Sequence, residues 1–163
     1  MGSGEQGVWI QFSPEIEVAK RQPHVAQRTG IRIRGHRGHP EVRGALIRFA
    51  RWLRKNYEFP IRVPVYLSPH KEIVTIDGNK AEVSFFAPYD RNVEPYIRIA
   101  TGDYPAEKRE QGRDNALASY ICALAHQVIH YQQWVETGEL WEKGVERKAT
   151  AILRRYELTT DHP

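Results

Sequence analysis

The stretch LAHQVIHYQQW, residues 124–134, sets His126 and His130 four positions apart among Leu124, Ala125, Val128 and Ile129. Four positions are about one helical turn, so both imidazoles leave one face with Cβ atoms about 5–6 Å apart. Two rings so placed can reach a single zinc ion, which holds imidazole nitrogen at roughly 2.0–2.1 Å. The run of Ala, Leu and Ile around them reads as a buried helix, and buried histidines need polar partners. With 7 histidines in 163 residues the spacing alone is weak evidence, so the rest of the chain has to decide its reading.

Downstream, the helical pattern around the histidines runs from about Ala106 to Val135, residues 136–140 with Gly138 break it, and a last helix is expected from about Trp141 to Leu158. Upstream lies a β section. IRVPVYL (61–67) is a strand candidate that Pro64 moves toward an edge or a bulge. EIVTI (72–76) and AEVSFF (81–86) flank Asp77-Gly78, a hairpin signal, and PYIRIA (95–100) is a further strand. Before it, Val42, Ala45, Leu46, Phe49 and Leu53 form one helical stripe opened by Pro40. VWIQFS (8–13) alternates like a short strand, and IRIR (31–34) like an exposed one. This order predicts an α+β domain with segregated elements and a small, mostly antiparallel sheet.

The bulk numbers fit one domain. A chain of 163 residues buries a core without staples. One cysteine, Cys122, excludes an intramolecular disulfide and favours a reducing, cytoplasmic setting. No apolar run approaches membrane-spanning length, and no charged-then-apolar leader opens the sequence. Residues 1–7 are expected to be a tag remnant or a disordered N-terminus, with the domain spanning 8–163. Residues 1–62 carry a balance of +7 and the remainder −3. That basic half could meet nucleic acid or an acidic protein, or simply be a solvated arginine-rich surface.

A zinc site needs at least three protein donors. Glu142, Glu146 and Glu157 on the following helix offer a third, as do Glu136 and Glu139 in the connection. Glu146 is the best placed, with Ala149 three positions on to let two helices approach; Glu142, one turn earlier, is next. HQVIH followed by VERKAT (145–150) resembles the gluzincin branch of zinc metallopeptidases, which carry HExxH on one helix and a glutamate on the next. Small members of the ImmA/IrrE type are the nearest comparison, in architecture over about residues 40–158 and in motif over about 126–149. The resemblance implies a zincin-like fold, zinc held by His126, His130 and Glu146, and hydrolysis of a peptide or protein substrate.

The departure is Gln127, which stands where that family has its general-base glutamate. An amide keeps the shape and can hydrogen-bond water, but has no carboxylate to take and return a proton. Zinc binding is therefore expected with hydrolysis impaired. Three readings of Gln127 stand: an isosteric exchange in an otherwise active enzyme, a homologue that binds without cutting, or a metal-free helix with two satisfied histidines.

Other candidates read more plainly. Cys122 lies on the histidine face as a buried thiol. His36 and His39 lie in a glycine-flanked loop, and His70 in a turn. Tyr131 and Tyr156 are candidates for steadying a developing oxyanion, or core rings. Trp134 and Trp141 are expected to pin the connection between the two helices. AEVSFFAP (81–88) is the candidate edge strand on which an extended peptide could pair.

Overall fold

The computed structural model describes residues 28–163; the expected strand at 8–13 and the expected N-terminal remnant at 1–7 lie outside them. The chain runs β1 (Ile31–Arg34), α1 (Pro40–Asn56), β2 (Val63–Ser68), β3 (Ile73–Val74), β4 (Lys80–Ala81), β5 (Val83–Phe86), β6 (Tyr96–Ala100), α2 (Tyr104–Gln111), α3 (Arg113–Thr137) and α4 (Val145–Glu157). It is an α+β fold. Among the described residues, no helix is long and apolar enough to cross a membrane.

α1 forms where its stripe demands. Val42, Ala45, Leu46, Phe49 and Leu53 are all buried, together with Ala50. Removing each large side chain of this set from water contributes about 1.5–3 kcal/mol. His39 caps the helix, its Nδ1 accepting from the Glu41 amide at 3.1 Å, and Pro40 occupies the first turn. His39 also packs on Tyr104, so this histidine is structural.

The sheet corrects the expectation of mostly antiparallel pairing. Its order is β1-β2-β6-β5, with β1–β2 and β2–β6 parallel and β5–β6 alone antiparallel. The cause is α1: a parallel neighbour needs a long crossover, and a helix between β1 and β2 supplies one. The elements are therefore less segregated than the sequence suggests. Pro64 is also not at an edge, since β2 is an interior strand. It is tolerated because pairing with β6 begins only at Val65, while Val63 donates toward β1 at Gly30. The proline nitrogen faces away from β1, where no ladder bond is lost. The expected hairpin exists as β3–β4, but Glu82 separates β4 from β5, and only β5 joins the main sheet.

Two glycines redraw the helices. Gly112, at φ +86°, breaks the single helix expected over 106–135 into α2 and α3. Gly144, at φ +81°, delays α4 to Val145, so residues 141–144 form a loop instead of a first helical turn. α3 packs on α1 and α4, with Trp134, Leu124, Ala125 and Val128 fully buried between the layers.

Glu41 ties the helical layer together. Its carboxylate accepts from Lys108 Nζ at 2.8 Å, Arg113 Nε at 3.0 Å and the Tyr104 hydroxyl at 3.2 Å. The Lys108 hydrogen bond, then that of Arg113, outweighs partial desolvation and holds its pKa at about 2 instead of 4.5. The unfolded chain therefore takes up this proton first as pH falls. The stabilisation is complete above pH 4.5 and disappears as pH approaches about 2. Glu41→Gln is expected to flatten acid unfolding across that window. A denaturation midpoint that falls with pH as steeply in the variant as in the parent would contradict this.

Candidate metal centre

α3 carries the two histidines, and its C-terminal end is fixed from three sides. Gly138 closes the helix by donating to Trp134 O at 2.9 Å. The Trp134 indole donates to Pro88 O at 2.7 Å and meets Phe85 of β5 edge-on, the ring centroids 6.5 Å apart. Arg91 donates to Val135 O at 2.9 Å. Trp134 thus pins α3 to the β5 edge, whereas Trp141 is 42% exposed.

The imidazoles of His126 and His130 stand 5.0 Å apart, centroid to centroid. Glu142 reaches them from the loop before α4. His126 Nε2 lies 3.3 Å from Glu142 Oε1, and His130 Nε2 lies 3.0 Å from Oε2. One ligand atom from each of the three residues falls within 4.8 Å of the others. The donor set, two imidazole nitrogens and a carboxylate, is one zinc uses. Two ligands at roughly 2.0–2.1 Å on tetrahedral directions stand about 3.3–3.4 Å apart, near the two histidine–carboxylate separations of 3.3 and 3.0 Å.

Gln133 supplies the more decisive observation. Its Oε1 accepts from the Trp141 amide at 3.1 Å, and its Nε2 donates to Trp141 O at 3.0 Å. Backbone N–H only donates and backbone C=O only accepts, so the amide orientation is fixed. Oε1 also lies 3.0 Å from His130 Nδ1, which must then carry the hydrogen. With Nδ1 holding a hydrogen, Nε2 is the ring atom that faces the Glu142 carboxylate, either as a lone pair or as a second N–H. Lone pair facing carboxylate at 3.0 Å is repulsive unless a cation, proton or metal, stands between them. His130 and Gln133 are each only 5% exposed, whereas the Glu142 side chain stands largely in solvent.

The structure brings together His126, His130 and Glu142, and does not bring Glu146 with them. Glu146 lies in the first turn of α4, exposed, opposite Cys122. The difference is the Gly144 break, which takes Glu142 out of the helix and lets its side chain swing to the histidines. Glu136, Glu139 and Glu157 are also outside the group. Gln127 is half-buried next to His126, and its side chain makes no hydrogen bond among the described residues. Cys122 is a half-buried thiol whose pKa is raised, first by burial and then by Glu146, so it is not an activated nucleophile.

Neither tyrosine is placed to act on a substrate. Tyr131 donates its hydroxyl to Ile61 O and accepts from the Ile61 amide, and burial pushes its pKa up to about 12. Tyr156 is buried against Phe49 and Trp52. His36 and His70 are exposed in loops. Gln133 is the residue that sequence reasoning missed. Its place on the histidine face was legible, but its partner Trp141, eight positions on, was not.

Gln133→Leu is expected to keep the shape and lower zinc affinity about 10–100-fold, as loss of a ligand-orienting partner does. An affinity equal to the parent's by calorimetry would remove Gln133 from the site. No protein-family model, curated protein or solved structure matches this chain.

Proposed function

We propose that this chain is a zinc-binding domain of the gluzincin type, with His126, His130 and Glu142 as its protein ligands and peptide hydrolysis impaired at Gln127. The observation that carries the reading is the grouping of His126, His130 and Glu142, with Gln133 holding the His130 ring so that its Nε2 faces the Glu142 carboxylate. Zinc held there would act as a Lewis acid toward a substrate carbonyl and acidify water. Glu142 is 78% exposed on its side chain, so the site opens to solvent and to ligand.

The chain's own residues supply binding and orientation more fully than proton transfer. β5 is the outer strand beside α3, and no described strand pairs with its far side. An extended peptide adding to that edge would lie along the histidine helix, with backbone hydrogen bonds holding it. Gln127 can donate or accept a hydrogen bond there. It cannot take a proton from water and pass it to a leaving amine. The zincin-like reading of the fold rests on this combination of edge strand, histidine helix and following glutamate.

The test is zinc titration by calorimetry together with peptide cleavage by the zinc-loaded chain. One zinc per chain and cleavage near background are expected. Absence of stoichiometric zinc overturns the reading, and rapid cleavage overturns the role given to Gln127.

A further inference from the structure

The main sheet has a second face. Ile31, Val63, Val65, Ile97 and Ile99 are fully buried on the helix side. Alternation therefore puts Arg32 and Arg34 of β1, Tyr66 of β2, and Tyr96 and Arg98 of β6 on the other side. Register places Arg34 opposite Tyr66 and Tyr66 opposite Arg98, one row across three strands. Ring contacts agree with that placement. Tyr66 meets Tyr96 edge-on at 5.9 Å, Tyr96 stacks on Phe86 at 4.8 Å, and the Arg98 guanidinium lies 5.9 Å over Tyr96.

The face is rich in arginine. Arg98 Nε, Arg62 Nε and Glu94 Oε2 are buried with no hydrogen-bond partner among the described residues. Glu94, 3.8 Å from Arg62, is the carboxylate among them, and burial raises its pKa against the pull of Arg62, Arg28 and Arg34. The positive charge continues around the β1 edge. Arg54 donates to Ile31 O at 2.7 Å, and with Arg32 it lines a cavity of about 490 Å³. Its guanidinium is held below its ordinary pKa by burial, then by Arg32 and Arg51.

Arginines on an edge strand commonly serve to prevent edge-to-edge pairing. That accounts for Arg32 and Arg34. It does not account for Arg98 or for a tyrosine 44% exposed, because both stand on interior strands.

We infer that this sheet face binds single-stranded nucleic acid, with a base stacked on Tyr66 and phosphates on Arg34, Arg98 and Arg32. Arginine forks match phosphate oxygens, and every base offers a π face to an aromatic side chain. A duplex hides those faces between its base pairs. An acidic peptide would satisfy the arginines but gain nothing from the exposed ring. Guanidinium groups and rings meet phosphates and bases and leave the sugar unread, so DNA and RNA strands bind alike. Metal plays no part.

The test uses the full chain and fluorescence anisotropy of labelled oligothymidylate, with oligouridylate, a duplex and polyglutamate as comparisons. Expected are salt-sensitive binding of both single strands, unchanged by chelator, and weaker binding of duplex and polyglutamate. Tyr66→Ala should weaken binding about fivefold or more. Arg34→Gln should reduce the salt slope by about 1. Both positions are exposed, so unchanged circular dichroism will certify the fold. Absent binding at low salt overturns the inference, as does polyglutamate or duplex binding equal to that of single strands. So does Tyr66→Ala with unaltered affinity, or a strong preference for one sugar.

Discussion

Zinc-loaded Gln127→Glu protein is expected to hydrolyse peptide about 10²–10⁴-fold faster than the parent, the range a positioned general base contributes. The exchange is isosteric, and the Gln127 amide makes no hydrogen bond among the described residues that a carboxylate would break. Its place next to His126 on α3 puts the new carboxylate beside the proposed site. The rate should rise with zinc occupancy. It should collapse when Glu142→Gln is added, which excludes a contaminating peptidase as its source. If Gln127→Glu folds and holds zinc, yet cleaves a broad peptide panel no faster than the parent, the site is not hydrolytic.

Glu142→Gln is expected to reduce zinc affinity by more than the roughly 10–100-fold typical of an outer-shell partner. The variant keeps the size of the side chain and removes the charge. Its effect on folding should be small, because Glu142 is largely exposed. Glu146→Gln is the informative contrast and should bind zinc like the parent. The Cys122 thiol reports on that second variant independently. Glu146 raises its pKa, so Glu146→Gln should make Cys122 react faster with a thiol reagent at a given pH. If zinc affinity falls with Glu146→Gln and persists with Glu142→Gln, the ligand on the following helix was the right one and the loop carboxylate is not.

The sequence carried the elements further than their arrangement. The stripe of Val42, Ala45, Leu46, Phe49 and Leu53 specified α1 because periodic burial is a local signal. The direction of β1 against β2 is not local; it follows from α1 serving as their crossover. Pro64 misled for a similar reason, since a proline is excluded only where its missing N–H faces a partner, and pairing with β6 starts one residue later, at Val65. The shared face of His126 and His130 was legible from their spacing. That Glu142, the second choice, would stand beside them in place of Glu146 was not, because Gly144 reads equally well as a residue inside a helix or as the break before one. Gln133 was hidden for another reason. A glutamine three positions after a histidine says nothing until the loop carrying Trp141 folds back to fix which end of its amide accepts.

Anomalous scattering at the zinc edge, from crystals of the full chain grown with zinc, tests the central claim most directly. A single strong peak is predicted among His126 Nε2, His130 Nε2 and the Glu142 carboxylate. No peak there, with the histidines still paired to Glu142, would show that protons hold this cluster together, and the metal reading would be wrong.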